Sequence, residues 1–431
     1  MKPYSERTTE ELKELKAQLE GEYKDFKAQE LFLNIARGKP SAAQLDLSDG
    51  LLKAVSERED CFAADGTDCR NYGGPLGLPE ARKLMGEVAG APADQVIVCG
   101  NASLPIMYDT VSRSFTHGVC GSTPWCKLDK VKFLCPVPGY DRHFGITEHF
   151  GVEMINVPMT PTGPDMDIVE ELVSSDPLIK GIWCVPKYSN PQGITYSDET
   201  VKRFAALKPA AEDFRIFWDN AYVVHHLYAD ESKQDKLLNI IEECEKAGNP
   251  DLAYVFVSTS KVSFAGAGIA AVASSKKNIA EIASHMNYQI ISHDKLNQLR
   301  HVKYFKNLDG IKKQMEKHAE LLRPNFMAFA DCFDKNLAGL GIASWKVPNG
   351  GYFISFDTME GCAAEIVKLA KEAGLVLTGA GATYPYHKDP TDSNIRIAPS
   401  MPKLDEIKQA AELFQICVRL ASVNKLLADR N

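Results

Sequence analysis

The chain has 431 residues, of which 45% are apolar and 25% are charged, and its formal net charge is −8 at pH 7. These values are ordinary for a globular protein, and the acidic balance argues against a general nucleic-acid-binding surface. No run approaches the roughly 20 uninterrupted apolar residues of a membrane span and no signal-peptide core opens the chain, so we expect a cytoplasmic protein without membrane or nucleic-acid partners.

Eleven cysteines are scattered along the chain, and no two of them form a C-x-x-C pair. Without an export signal, this pattern predicts reduced thiols rather than disulfides. The adjacent His225 and His226 come nearest to a metal-ligand pair, but neighbouring side chains rarely converge on one ion. We therefore predict structural roles for both histidines and no metal site.

An amphipathic helix is predicted over residues 8–30, where apolar side chains recur every three or four positions after a possible threonine cap. From residue 95 the pattern changes to short, continuous apolar runs separated by segments long enough for crossover helices. The seven runs are 95–100, 132–138, 153–159, 181–186, 214–219, 253–259 and 268–275. Continuous apolar strands are typical of a sheet covered on both faces, so we predict an α/β fold with a seven-stranded, mostly parallel sheet.

After residue 300, long helical stretches alternate with short strand candidates at 350–357, 374–379 and 394–400. This pattern predicts a smaller α+β domain that the N-terminal helix joins. The predicted division is residues 1–65 as an N-terminal helix and arm of the small domain, 66–305 as the large domain and 306–431 as the C-terminal small domain.

Polar residues follow the carboxyl ends of several predicted strands, which is the edge where open α/β sheets bind ligands. Asn101, Ala102 and Ser103 lie where a helix is predicted to begin, and free N–H groups at such a position suit a phosphate. Asp219 ends a strongly apolar strand, where a carboxylate is rare without a positive partner, and Tyr222 follows three residues later.

Lys261 follows another apolar strand in the run STSK, which begins at Ser258. An ammonium removed from water is costly without a partner, so this lysine is either paired in the core or used chemically. Tyr140 follows a third strand, and Asn190 lies in an Asn-Pro turn after a fourth. Each residue alone has an equally good structural explanation. Together they fit a ligand with a phosphate, a flat ring with a basic nitrogen, a ring oxygen and an aldehyde, which are the parts of pyridoxal phosphate.

The same residues fall in motifs that resemble the fold-type I, class I aminotransferases over nearly the whole chain. The motifs are NYGGPLGLPEAR (71–82), VPGYD (137–141), SNPQG (189–193), DNAY (219–222), STSK (258–261) and NIRIAPS (394–400). The segments NIARGKPS (34–41) and GNASLPIMYD (100–109) look most like a less common bacterial branch of aspartate aminotransferases.

The resemblance implies that Lys261 holds pyridoxal 5'-phosphate as a Schiff base and moves a proton of the substrate. Asp219 would pair with the ring nitrogen and so make the ring an electron sink. Tyr222 would donate to the ring oxygen and act with Asn190 on the Schiff base, while Tyr140 would stack on the ring.

For the phosphate, the resemblance implies contacts from Ser258 and from the N–H groups of Asn101, Ala102 and Ser103. Tyr72 matches a residue that, in relatives, reaches the phosphate of the neighbouring subunit. A homodimer with shared active sites is therefore implied.

For the substrate, the resemblance implies that Arg396 takes the α-carboxylate in a bidentate pair and that Gly38 closes over it. One position departs from the family pattern: many relatives carry a phosphate-binding arginine eight residues after the lysine, where this chain has Ile269. Either other groups bind the phosphate, or the glycines displace the local alignment.

These implications favour ping-pong transamination from an L-amino acid, with aspartate as the favoured donor, to 2-oxoglutarate. A dicarboxylic substrate needs a second cation, for which Arg37, Lys39, Arg142 and Arg300 are candidates. The alternatives are transamination of aromatic or other amino acids, and a β-lyase or decarboxylase that uses the same cofactor. A cofactor-sensing regulator is disfavoured, because only about thirty residues precede NIARGKPS and a DNA-binding module needs more.

Overall fold

The computed structural model of the chain describes residues 2–430. Its α-helices are α1 Thr9–Lys27, α2 Ala42–Asp46, α3 Pro79–Ala89, α4 Ser103–His117, α5 Asp141–His149, α6 Met166–Ser175, α7 Asp198–Ala205, α8 Ile240–Lys246, α9 Lys276–Met286, α10 Lys295–Phe305, α11 Leu308–Asn336, α12 Ala363–Glu372 and α13 Leu404–Ala428. Its strands are β1 Leu33–Asn34, β2 Val96–Val98, β3 Lys132–Val137, β4 Glu153–Thr160, β5 Gly163–Pro164, β6 Ile179–Cys184, β7 Arg215–Asp219, β8 Ala253–Ser258, β9 Ala270–Ala273, β10 Ala343–Lys346, β11 Ile354–Thr358, β12 Leu375–Val376 and β13 Asn394–Ile397.

The large sheet contains a strand for each of the seven apolar runs, which confirms the predicted α/β class. Its order is β2-β9-β8-β7-β6-β3-β4-β5. Strands β3, β4, β6, β7 and β8 pair in parallel, while β9 is antiparallel to both β2 and β8. The sheet has eight strands rather than seven, because the two-residue β5 pairs with the edge of β4. The sequence did not reveal β5, since Gly163 and Pro164 form no apolar run.

Side chains of the central strands alternate between two apolar cores, one on each face of the large sheet. In β7, Ile216 and Trp218 pack into one core, while Phe217 packs into the other. Helix α3 contributes to the first core through residues such as Leu84, and helix α4 contributes to the second through residues such as Met107. Burial on both faces explains why these strands are continuously apolar.

A separate apolar core lies among elements from both chain ends. It includes side chains of α1, α11, α12 and α13 and of the antiparallel sheet β10-β11-β13. Strand β1, near the N-terminus, pairs in parallel with β12. β10 is a strand that the sequence analysis did not predict, because its residues are alternately half-buried and exposed. The domain boundaries at 65/66 and 305/306 stay predictions.

The N-terminal helix α1 begins with a capping box. The Thr8 hydroxyl accepts a hydrogen bond from the Glu11 N–H at 3.1 Å, and the Glu11 carboxylate accepts one from the Thr8 N–H at 2.6 Å. Leu12, Leu15 and Leu19 are buried and belong to the core formed by the chain ends. The helix ends at Lys27, three residues before the predicted limit of 30, and it packs against α13.

The strand order explains why distant polar residues converge. Strands β8, β7, β6 and β3 are neighbours, and they run parallel, so their carboxyl ends meet at one edge of the sheet. Asp219 is the last residue of β7, and the segments that follow the four strands carry Lys261, Tyr222, Asn190 and Tyr140. A ligand site at this edge is the arrangement expected of an open α/β sheet.

Within residues 2–430, no helix combines the length and the apolar character needed to cross a membrane. The eleven cysteines are all free thiols. In the same part of the chain, no group of three or more His, Cys, Asp or Glu side chains is placed to hold a metal ion.

We predict that a buried ion pair next to β7 is needed for stability. Asp213 accepts hydrogen bonds from Lys180 Nζ at 2.7 Å and from Trp125 Nε1 at 2.8 Å, and the charged side chains are at most 10% exposed. Asp213→Ala should lower the free energy of unfolding by about 3–5 kcal/mol, because it leaves the lysine buried without its counter-charge. Urea denaturation followed by circular dichroism measures this loss.

The matched control is Asp167→Ala, which removes the exposed carboxylate partner of Arg203. It should cost less than about 1 kcal/mol, since exposed ion pairs contribute little. Equal losses in the two variants would contradict the prediction.

Candidate active site

Two adjoining cavities open at the carboxyl edge of the large sheet. The larger, which we name the outer cavity, has a volume of about 550 Å³, and the smaller inner cavity has a volume of about 40 Å³. Tyr140, Asn190, Tyr222 and Lys261 line both. Because the same four side chains form a shared wall, the two cavities belong to one site.

Lys261 lies in the turn that follows β8, with its Nζ 4.9 Å from the centroid of the Tyr222 ring. Burial lowers the pKa of Lys261 below its ordinary value, and the attraction of Asp219 only partly opposes this effect. A lowered pKa increases the fraction of the neutral amine near pH 7. The neutral amine is the form that attacks a carbonyl carbon or accepts a proton.

Asp219 is the last residue of β7, lines the inner cavity and is 3% exposed. Its Oδ2 lies 2.9 Å from His143 Nε2, so the imidazole N–H donates to the carboxylate. Its Oδ1 is buried and has no hydrogen-bond partner among residues 2–430. A buried acceptor without a donor is costly, and a protonated ring nitrogen placed in the inner cavity would supply that donor.

His143 is a site residue that the sequence analysis missed. It lies in the first turn of α5 and is 1% exposed, and its ring stacks on Trp183 with the centroids 4.5 Å apart. The packing fixes the imidazole against Asp219 and holds that carboxylate in one orientation. Its position three residues after Tyr140 was a weak signal, because nothing in the sequence links it to Asp219.

The two tyrosines that line both cavities stay protonated at neutral pH. Burial raises the pKa of Tyr140 to about 12, and burial raises the pKa of Tyr222 well above its ordinary value. Both phenol groups can therefore donate a hydrogen bond to an oxygen in the cavities.

The start of α4 offers free donors beside the inner cavity. Ala102 is the N-cap residue and no side chain caps the helix. The N–H groups of Asn101, Ala102 and Ser103 have no acceptor within residues 2–430, and Ser103 lines the inner cavity. The Ser260 hydroxyl donates to the Asn101 carbonyl at 3.0 Å, which ties the lysine turn to the helix start. Uncapped N–H groups and the helix dipole form a site for an anion.

Of the remaining residues predicted for the phosphate, Ser258 ends β8 and is not part of the lining of either cavity. Ile269 is 1% exposed in an apolar core, and its N–H donates to Thr259 Oγ1 at 2.9 Å. Its side chain therefore lies in the core and lines neither cavity. Among the described residues that line the inner cavity, Lys261 is the one cation.

Arg396 reaches the outer cavity from β13 and is 6% exposed. Its Nη1 donates to Asp141 Oδ1 at 2.7 Å and to Asn190 Oδ1 at 3.2 Å, and its Nη2 donates to Thr378 Oγ1 at 3.4 Å. The guanidinium lies over the Phe353 ring, 4.9 Å from its centroid. Asp141 is a second site residue that the sequence analysis missed.

Gly38 lines the outer cavity and touches the same phenylalanine. A Cβ at position 38 would lie 2.7 Å from Phe353 Cζ, which is closer than real contacts allow. Since this ring supports the guanidinium of Arg396, the absence of a side chain at Gly38 lets the N-terminal arm approach the arginine closely.

Of the four cations proposed for a distal carboxylate, three line the outer cavity. Arg37, Lys39 and Arg142 are exposed there, whereas Arg300 lies on α10 outside both cavities. Tyr72 is also remote from the lining, with its side chain 78% exposed at the surface.

Comparisons with known proteins agree with this geometry. The profile of a family described as Aspartate amino-transferase matches residues 7–430. A putative aminotransferase of Mycolicibacterium smegmatis is 47% identical over 410 residues, which are 95% of each chain. An aspartate aminotransferase of Corynebacterium glutamicum is 46% identical over 93% of this chain and 92% of its own. The crystal structure of an aspartate transaminase from C. glutamicum superposes with a TM-score of 0.94 and 44% identity, covering 98% of both chains. The chain therefore belongs to the aspartate aminotransferase family of fold type I and is an aminotransferase.

Proposed function

We propose that the protein uses pyridoxal 5'-phosphate to move the amino group of an L-amino acid, with aspartate as the favoured donor, to 2-oxoglutarate. The observation that carries this proposal is the unpaired Asp219 Oδ1 in the same buried cavity as Lys261. The relatives that bear the name aspartate aminotransferase support aspartate as the donor.

The residues that line the two adjoining cavities fit this cofactor, with Asp219 reached through the inner one. Bound there, the cofactor supplies an aldehyde and a ring that withdraws electrons from the substrate. Lys261 would hold the aldehyde covalently, Asp219 Oδ1 would accept a hydrogen bond from the ring nitrogen, and the protonated hydroxyl of Tyr222 would donate to the ring oxygen. His143 occupies the other oxygen of Asp219, so the carboxylate presents Oδ1 to the ring.

The proposed contacts with the rest of the cofactor come from Tyr140 and from the segments beside the inner cavity. Tyr140 would stack on the ring, and the free N–H groups at Asn101, Ala102 and Ser103 would bind the phosphate with the hydroxyl of Ser258. The buried Ile269 cannot contribute, so the helix dipole and these donors replace the arginine of the family pattern.

The substrate binds in the outer cavity. Arg396 receives its α-carboxylate beside Asn190, while Gly38 lets the N-terminal arm cover it. Lys261, whose pKa is lowered by burial, would take the proton from Cα of the donor amino acid. In the second half-reaction it would deliver a proton to Cα of the amino acid formed from 2-oxoglutarate. Such acid–base help is typically worth about 10²–10⁴ in rate. The oxo acid product leaves before 2-oxoglutarate enters the same cavity, which makes the kinetics ping-pong.

We predict that Lys261→Ala removes the visible absorbance band of the cofactor bound through lysine and lowers transamination by at least about 10²-fold. The matched control is Lys187→Ala: burial lowers the pKa of Lys187 too, to about 8, but this lysine lines neither the inner nor the outer cavity. Absorbance spectra and a coupled oxaloacetate assay measure both variants. A band that persists in Lys261→Ala would remove the lysine from its proposed role.

We predict that the distal carboxylate of aspartate pairs with a cation of the outer cavity. Among the variants Arg37→Gln, Lys39→Gln and Arg142→Gln, at least one should raise KM for aspartate by about tenfold or more, which corresponds to one charge-assisted contact. Turnover of alanine should be unaffected, and Arg300→Gln is the control outside the cavity. Steady-state kinetics with both amino donors measure the difference.

Three results of assays with a wider set of amino acids and products would exclude aspartate transamination. Good turnover of aromatic amino acids or alanine without oxaloacetate formation would indicate another aminotransferase specificity. Pyruvate and ammonia formed without an added oxo acid would indicate a β-lyase. Release of carbon dioxide would indicate a decarboxylase.

We propose a homodimer in which Tyr72 serves the phosphate of the partner subunit. Tyr72, Tyr288 and Ile291 are 78%, 94% and 64% exposed, an unusual exposure for large apolar side chains. Mixed dimers of Tyr72→Phe and Lys261→Ala subunits should regain activity that neither parent shows in full, because one of their two sites is intact. Light scattering and assays of co-expressed, doubly tagged dimers test this, and a monomeric protein would contradict it.

A further inference from the structure

The guanidinium of Arg396 is already occupied by groups of the chain itself. Both Nη1 hydrogens have acceptors, one in Asp141 Oδ1 at 2.7 Å and one in Asn190 Oδ1 at 3.2 Å. Nη2 donates to Thr378 Oγ1 at 3.4 Å. The contact with Asp141 is the shortest of the three and the only one of them made to a charged group.

The other edge of the guanidinium is closed to ligands. Arg396 Nε is buried and has no partner among residues 2–430, and the Phe353 ring covers one face of the group. A carboxylate that enters from the outer cavity can therefore reach only the Nη atoms. A bidentate pair at these atoms needs an Nη1 hydrogen, and Asp141 is the nearest and the charged acceptor already on Nη1.

We infer that Asp141 is a built-in competitor for the substrate α-carboxylate. Its side chain lines the outer cavity and is 26% exposed, so it can leave Nη1 for solvent, whereas the arginine at 6% exposure is fixed. To bind Arg396 in a bidentate pair, the α-carboxylate of a substrate must displace the carboxylate of Asp141. This inference rests on the proposed function, in which Arg396 binds the α-carboxylate.

The buried charge of Arg396 explains why the chain carries Asp141 at this position. A guanidinium this deeply buried is costly without an anion, and Asp141 supplies one whenever no substrate is bound. Binding then exchanges one carboxylate for another, so an α-carboxylate alone gains little affinity. A ligand binds well only if it adds further contacts, such as a distal carboxylate or an amino group. Asp141 therefore selects against simple monocarboxylates and raises KM for true substrates.

A different account gives Asp141 a purely structural role. In it, the carboxylate only orients Arg396, or it stabilises the first turn of α5 through the helix dipole. The accounts predict different changes in the affinity for a carboxylate when Asp141 is replaced. Removing an orienting group weakens carboxylate binding, removing a helix-stabilising charge leaves binding unchanged, and removing a competitor strengthens it.

The test is Asp141→Asn in cofactor-loaded protein, titrated calorimetrically with maleate, a dicarboxylate that does not react. Asparagine can still accept the hydrogen bond from Nη1 but carries no charge, so orientation is kept while competition is reduced. The dissociation constant for maleate should fall by about tenfold, because the competent arginine becomes more populated. For aspartate, KM should fall with kcat unchanged, the sign of uniformly stronger binding.

Two further variants complete the comparison. Asp141→Ala should also tighten maleate binding, and Asp167→Asn, which removes an exposed carboxylate partner of Arg203, should leave it unchanged. In Asp141→Asn, the midpoint of thermal unfolding should be lower without maleate, and maleate should raise it by more than in the wild type. Unchanged or weaker maleate binding in both Asp141 variants overturns the inference.

A measurement on the wild type avoids any folding defect of the variants. In a crystal structure of the cofactor-loaded protein with maleate, the carboxylate of Asp141 should have left hydrogen-bond distance of Arg396 Nη1. Maleate on Arg396 together with an intact Asp141 contact would overturn the inference. Failure of the proposed function itself gives a distinct result, namely a wild type that neither binds the cofactor nor transaminates.

Discussion

The site depends on two opposite charges buried at the ends of neighbouring strands. Asp219 ends β7 and Lys261 follows β8, and the parallel pairing of these strands keeps the two groups within electrostatic reach. Each charge is costly in the interior, and each is only partly compensated: His143 satisfies one carboxylate oxygen, and Asp219 offsets part of the penalty on the lysine. The protein thus keeps a reactive amine and an unsatisfied acceptor in one cavity, where a single ligand can relieve both.

The strand-end residues could be predicted from the sequence because each follows an apolar run, and parallel strands bring such positions together without further information. Asp219, Tyr222, Asn190, Tyr140 and Lys261 all meet at one edge for this reason. Their roles toward the cofactor stay predictions, and so do the domain boundaries.

The remaining contacts could not be predicted, because each is made across a long sequence separation between elements that only the fold brings together. His143 meets Asp219 over 76 residues, and Asp141 meets Arg396 over 255. The sequence around His143 and Asp141 has no pattern that indicates which distant residue each one contacts. The short strand β5 was missed for a different reason, since its glycine and proline lack the apolar character on which strand prediction relies.

Four side chains line both cavities, and this sharing limits how the enzyme can be re-engineered. A substitution at Tyr140, Asn190, Tyr222 or Lys261 alters the wall of both cavities at once. A change meant for the substrate would therefore also disturb the cofactor, and the reverse. The exposed cations Arg37, Lys39 and Arg142 line the outer cavity but not the inner one. Substitutions intended to change the accepted amino acid are therefore best made at the exposed cations of the outer cavity, with the four shared side chains left unchanged.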